Sequence, residues 1–185
     1  MPLPKIYLAG PEVFLADPIG AGASLKVLCT THGAVGLFPM DNELSPLHEN
    51  GSVAQAAFIR AANMDLIKAS DAIIANMTPF RGPSMDVGTA YEMGAAAALG
   101  KVVVGYTSDR RSFVAKVGGT RGEDGMLRDE EGWAVEEFGK GEHALTDNLM
   151  IGCGIERLCG SAEEAIRAVV EILEKKGVQG ELTTV

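Results

Sequence analysis

Two carboxylates six residues apart stand in the run Ser84-Met85-Asp86-Val87-Gly88-Thr89-Ala90-Tyr91-Glu92-Met93-Gly94, which leads into Ala95-Ala96-Ala97-Ala98-Leu99-Gly100. A carboxylate in the first two turns of a helix lies near unpaired backbone N–H groups and at the positive end of the dipole, so its ionised form is expected to be favoured there. An ionised carboxylate in a pocket can act as a nucleophile. The surrounding glycines and alanines let such a helix approach a sheet closely, which predicts Glu92 on the floor of a cleft. A helix this small and apolar is not expected on the surface, and an acid within it is costly unless paired or functional. Residue type leaves plainer roles open: Asp86 as a helix cap alone, Asp65 as a solvated helix position, Tyr7 as an ordinary strand aromatic, Glu92 as half of a buried ion pair.

The elements that must position these residues can be read from apolar runs and breakers. Lys5 to Ala9 reads as a buried strand ended by Gly10-Pro11. A helix from about Ala21 to Thr31 stops before Gly33, and a second strand covers Ala34 to Phe38. After a loop over Met40 to Asn50, Ser52 is placed to cap a helix whose apolar positions Val53, Ala56, Ala57, Ile59, Ala61, Met64 and Ile67 keep a helical period; Asp65 lies on it. Ala72 to Met77 is a central strand, Thr78 to Pro83 a loop, Asp86 to Gly100 the acid-bearing helix, and Val102 to Tyr106 the next strand. Residues 107–148, around Trp133, are long enough for a lid, a binding loop or an oligomer contact, with room for a small hairpin. A weak strand over Ile155 to Leu158, a helix from Ala162 to Lys176 capped by Ser161, and an irregular tail over Gly177 to Val185 complete a single domain of residues 1–185. Strands alternating with helices imply a parallel α/β sheet with helices on both faces, and such sheets bind ligands beyond the carboxyl ends of their strands.

Composition narrows the partners. A net charge of -9 and a pI near 4.8 argue against a nucleic-acid polymer, whose binding needs clustered Lys and Arg. No apolar stretch suits a membrane span and the first residues do not read as a secretion signal, so the expected location is cytoplasmic. Cys29, Cys153 and Cys159 match no metal spacing and read as reduced, mostly buried thiols. His32, His48 and His143 fall in predicted turns or loops, and no glycine-rich phosphate fingerprint follows the first strand.

Several motifs in fixed order resemble the nucleoside 2-deoxyribosyltransferase family: Lys5-Ile6-Tyr7-Leu8-Ala9-Gly10-Pro11 with Phe14, Asp41-Asn42-Glu43, Asn63-Met64-Asp65-Leu66-Ile67, Pro79-Phe80-Arg81-Gly82, Asp86 to Gly94, Thr107 to Arg111, and Asn148-Leu149-Met150. The resemblance implies a flavodoxin-like (Rossmann-like) five-stranded parallel sheet, no metal or organic cofactor, and exchange of the base of 2'-deoxynucleosides with free nucleobases. By position, Glu92 matches the nucleophile that forms a glycosyl-enzyme ester, Asp65 and Asp86 match acids on the base and sugar side, and Tyr7 matches the tyrosine that holds the nucleophile. Gly10, Pro11, Phe14, Pro79, Phe80, Arg81, Gly88, Asn148 and Met150 fall at substrate-binding positions. The family further implies a homo-oligomer, hexamer or dimer, with Asn148 supplied to the adjacent subunit's site near the 5'-hydroxyl.

Some relatives use their C-terminal carboxylate in a neighbour's pocket, a role that the nine irregular residues Gly177 to Val185 do not suit. Pro79 to Arg81 and Thr107 to Arg111 are most similar to purine-accepting members. Two alternatives stay open at this point: an N-glycosidase acting on 2'-deoxynucleoside 5'-monophosphates, against which Asp147 beside Asn148 weighs while Arg110 and Arg111 offset it, and a non-catalytic nucleotide-binding domain.

Overall fold

The short apolar runs become the middle of a parallel sheet because both of their faces are covered. The computed structural model describes residues 2–42 and 49–182, with side chains to residue 177. The strands are β1 (Lys5–Ala9), β2 (Val35–Leu37), β3 (Ala72–Asn76), β4 (Val102–Tyr106) and, late in the chain, β7 (Arg157–Cys159), in the spatial order β2-β1-β3-β4-β7. All four pairings among them are parallel.

Side chains alternate across the pleat. Ile6, Leu8, Ile74, Val104 and Tyr106 face α1 (Pro18–Thr31) and α6 (Ala162–Leu182). Tyr7, Ala9, Ile73, Ala75 and Val103 face the opposite way, toward α2 (Val53–Ala69) and α3 (Val87–Ala98), where Ile67, Met93 and Ala96 close the layer. Tyr7 is therefore on the face that carries Glu92.

Between β4 and β7 the chain forms α4 (Phe113–Val117), the antiparallel hairpin β5 (Thr120–Arg121) and β6 (Leu127–Arg128), a short 3-10 turn, and α5 (Leu149–Gly152). The hairpin expected in this stretch is present.

Several boundaries differ from the sequence expectation. Helix α1 starts at Pro18 because the Asp17 side chain accepts from the Gly20 N–H at 2.8 Å and Pro18 supplies a preset φ at the first helical position. The last strand lies at Arg157–Cys159, two residues later than read. The tail is corrected more substantially: α6 runs to Leu182, since neither Gly177 nor Gly180 breaks a helix already several turns long. Val185 lies outside the described residues, as do Glu43 and His48.

The expectation that α3 avoids the surface also fails, because Val87 and Tyr91 on its outer side are exposed in the protomer. The first part of the apolar stripe of α2 is likewise exposed, with Val53 87% exposed, while Met64 and Ile67 at its end pack inward. Of the three thiols, Cys29 and Cys159 are buried and Cys153 is exposed. Among the described residues no helix is long and apolar enough to cross a membrane.

Candidate active site

A single hydrogen bond joins the two elements that the sequence placed around the acid. Tyr7, fully buried in β1, donates from its hydroxyl to Glu92 Oε1 in α3 at 2.6 Å. Among the described residues no Lys or Arg forms an ion pair with Glu92, which removes the buried-ion-pair reading.

Burial pushes the Glu92 carboxyl up to about 7, the Tyr7 hydrogen bond opposes that rise, and the nearby Asp86 charge adds to it. This corrects the expectation that the helix N-terminus keeps Glu92 ionised. The dipole acts mainly within the first turn, and Glu92 lies beyond the first-turn N–H group that Asp86 caps. Desolvation therefore wins. Burial, followed by the Glu92 charge and the shared hydrogen bond, raises the Tyr7 phenol far above its ordinary range, so it remains a donor.

Asp86 is the helix cap as well as a site residue. Its Oδ2 accepts from the Thr89 N–H at 2.8 Å and from Thr89 Oγ1 at 2.9 Å, leaving Oδ1 without a protein partner among the described contacts. A side chain at Gly88 would place its Cβ 3.1 Å from that capping oxygen, so glycine keeps the approach to Asp86 open.

The residue before the cap is held from far along the chain. Asp147, buried, accepts from the Met85 N–H at 2.9 Å and from the Asn148 N–H at 2.8 Å. Next to it Glu136 accepts from Asn148 Nδ2 at 2.7 Å and from the Leu149 N–H at 2.8 Å, while Asn148 Oδ1 accepts from the Met150 N–H at 2.9 Å. Asn148 is thus fixed in orientation and tied to the start of α3.

The Asp147 carboxylate is buried against the Met85 and Asn148 N–H groups. Of the two arginines set against it, Arg111 binds the Asp109 carboxylate at 2.6 Å and holds it down to about 2.

Beyond the carboxyl ends of β1 and β3 lies an aromatic rim. Phe14 and Phe80 stack with ring centroids 5.5 Å apart and planes 12° apart, and the Arg81 guanidinium lies 5.2 and 4.7 Å from the two centroids. Pro11 starts the turn that carries Phe14, and Pro79 starts the approach to Phe80. Arg81 has φ 57, the one non-glycine residue at positive φ among those described. Such strain is kept where the surroundings hold it.

The structure does not bring Asp65 to this cluster. Its side chain is 74% exposed and pairs with Lys68 at 2.9 Å on the outer face of α2. The polar residue on the inner side is Asn63, one turn before buried Ile67, whose Oδ1 accepts from Asn42 Nδ2 at 3.2 Å. Met150 is exposed beside an apolar groove of about 260 Å³ lined with Ala90, Met93 and Gly94, on the α3 side away from the rim. Glu12, Glu136 and Asp147 were missed as functional candidates, because their partners are distant in sequence. Among the described residues no group of three or more His, Cys, Asp or Glu is arranged to hold a metal ion.

Residues 6–150, which contain the Tyr7–Glu92 pair and the Asp86 cap, match the family model for nucleoside 2-deoxyribosyltransferase. The chain belongs to that family. As a nucleoside 2-deoxyribosyltransferase family member it is a pentosyltransferase, and its five-stranded sheet is the family fold. The chain is similar to a 2-deoxyribosyltransferase from Leishmania mexicana, at 37% identity over 91% of this chain and 97% of that one, with a TM-score of 0.69. It is 30% identical to an uncharacterised protein of Schizosaccharomyces pombe, over 92% of this chain and 89% of the relative. A conserved protein from Enterococcus faecalis V583 shares the fold, at 22% identity over 91% of this chain and 98% of the other, with a TM-score of 0.58.

Proposed function

We propose that this family member exchanges the base of 2'-deoxynucleosides by double displacement at Glu92, in nucleoside salvage. The observation that supports the reading is the part-buried Tyr7–Glu92 hydrogen bond, with no ion pair to Glu92 among the described residues. In the first step a Glu92 carboxylate oxygen bonds to C1', the C1'–N bond breaks, and its electron pair leaves with the base, which takes up a proton. In the second step a nitrogen of an incoming base attacks C1', its ring proton passes to solvent and Glu92 departs as carboxylate, so two inversions give net retention. A carboxyl near 7 suits both roles, since it must attack as the anion and later leave. Tyr7 keeps the attacking oxygen aimed, and Asp86 offers its unpaired Oδ1 to the sugar.

The Phe14–Phe80 rim with Arg81 receives the base, and its stacked breadth supports purines as the preferred class. Asn148, oriented by Glu136 and Asp147, is assigned to the 5'-hydroxyl end of a neighbouring subunit's substrate; the exposed apolar sides of α2 and α3 support such a homo-oligomer. A 2'-hydroxyl beside Glu92 would need a polar partner and would slow formation of the oxocarbenium-like centre, so deoxyribonucleosides are preferred over ribonucleosides. Incubation with deoxyinosine and free adenine tests the reading. Deoxyadenosine is the expected product; release of deoxyribose 5-phosphate and free base from a deoxynucleotide, with no base exchange, would replace it with hydrolysis.

A further inference from the structure

We propose that Glu12 is a positioning residue that aims the nucleobase rim and so sets how the glycosyl-enzyme partitions between an acceptor base and water. This rests on the base-exchange reading above.

Glu12 lies in the 3-10 turn Pro11–Phe14 that follows β1. Its Oε1 accepts from Asn76 Nδ2 at 2.7 Å and from the Tyr106 hydroxyl at 3.0 Å. Asn76 is the last residue of β3 and Tyr106 the last of β4, so one carboxylate joins the carboxyl ends of three neighbouring strands. The link continues outward: Asn76 Oδ1 accepts from the Thr78 N–H at 3.0 Å, where the chain turns into the loop bearing Phe80 and Arg81.

Both rings of the rim are therefore tied to Glu12. Phe14 is tied through two residues of the same turn, and Phe80 through Asn76 and Thr78. Phe14 is 58% exposed, and outside this link the rim is held by the mutual stacking of its rings, by Arg81 and by the Phe80 N–H that donates to the Ser84 carbonyl at 2.9 Å. Gly10 makes room for the arrangement: a Cβ there would lie 1.9 Å from Glu12 Oε2 and 3.0 Å from the Asn76 Cβ.

Tyr106 faces the α1 and α6 layer, opposite to Tyr7, so this network shares no hydrogen bond with the Glu92 pair. Loss of Glu12 should weaken capture of the donor base and of the acceptor base alike; with deoxyinosine saturating, the ester still forms and its reaction with water is unaffected. Water needs no stacking platform to reach C1', whereas a flat heterocycle does, and misplacement of about 1 Å can cost two orders of magnitude in such a step.

The test compares wild type, Glu12→Ala, Glu12→Gln and Tyr106→Phe with saturating deoxyinosine as donor and adenine below saturation, reading deoxyadenosine against free deoxyribose. For Glu12→Ala the transfer-to-hydrolysis ratio should fall about tenfold or more through a higher KM for adenine, while deoxyribose release without acceptor stays within about twofold. Glu12→Gln keeps an oxygen for both donors and should restore the ratio to within about threefold of wild type. Tyr106→Phe removes one donor, should lower the ratio about threefold, and carries the test if Glu12→Ala does not fold.

A poorly folded variant would lose both products in proportion. An unchanged ratio in Glu12→Ala, or in Tyr106→Phe where it alone folds, overturns the assignment while leaving base exchange standing. A wild type that makes no deoxyadenosine at all overturns the base-exchange reading instead, and this proposal with it.

Discussion

Two tyrosine–glutamate pairs sit on opposite faces of the same sheet, and their difference separates chemistry from support. In one, Tyr7 donates to a half-buried Glu92 at 2.6 Å, its single side-chain hydrogen bond among the described residues, and no cation pairs with it there. In the other, Tyr106 shares Glu12 Oε1 with Asn76, so that this carboxylate is occupied in joining three strand ends. Burial lifts both phenols far above their ordinary range. What distinguishes the pairs is the acid. Glu92 is desolvated and holds one hydrogen bond, which suits the nucleophile proposed for it, whereas Glu12 accepts from two strand ends.

The sharpest way to break this contrast is to neutralise each acid in turn. Glu92→Gln should lower base exchange by about 10³-fold or more, because no other group can form the ester, and a nucleophile's removal is rarely compensated. Glu12→Gln should cost at most about threefold in the same assay. Equal losses would erase the distinction.

Removing the hydroxyls comes next. Tyr7→Phe should lower kcat/KM by about 10- to 100-fold near neutrality, as expected for a hydrogen bond to a charged group. It should also move the pH profile. Glu92 must be ionised to attack, so wild-type activity rises with pH through about 7; the Tyr7 hydrogen bond holds that value down, and its loss shifts the rising limb to higher pH. Tyr106→Phe should leave the limb in place.

Stability follows the same group with a definite sign. The Glu92 carboxyl is raised in the folded state from an ordinary 4.5 to about 7, so its contribution is fully present below 4.5 and is lost as pH rises through 7. Glu92→Gln removes that loss. Its Tm should exceed the wild-type value by about 3–6 °C at pH 8 to 9, and the gap should close near pH 4, as thermal melts across that range would show.

The smallest effect is expected at Asp65. A carboxylate on an outer helix face, paired with one lysine, contributes about 0–1 kcal/mol. Asp65→Asn should stay within about threefold of wild-type exchange, and a hundredfold loss would restore it as an acid of the site.

The pattern of what could be read from the chain is physical. The strands and α3 were legible because Ala72 to Asn76 and Val102 to Tyr106 are local apolar runs bounded by breakers, and because Asp86 caps its own helix. The pairing of Tyr7 with Glu92 came through resemblance, and the structure places the two side chains 2.6 Å apart. The inner face of α2 was not legible, since alanines and branched residues lie all around it and periodicity cannot choose between Asn63 and Asp65. Glu12, Glu136 and Asp147 acquire meaning only through partners that the fold brings from distant segments. The upward shift of the Glu92 carboxyl belongs to the same class, because burial is set by the packed fold and outweighs the local helix field.

The most direct measurement is covalent trapping. Protein incubated with a 2-fluorinated deoxynucleoside, whose fluorine slows release of the sugar, should be digested and its peptides weighed by mass spectrometry. The account predicts one sugar adduct, on the peptide and side chain of Glu92, absent from Glu92→Gln. An unmodified Glu92 peptide under conditions of turnover, or an adduct on Asp86 or Glu12, would contradict it.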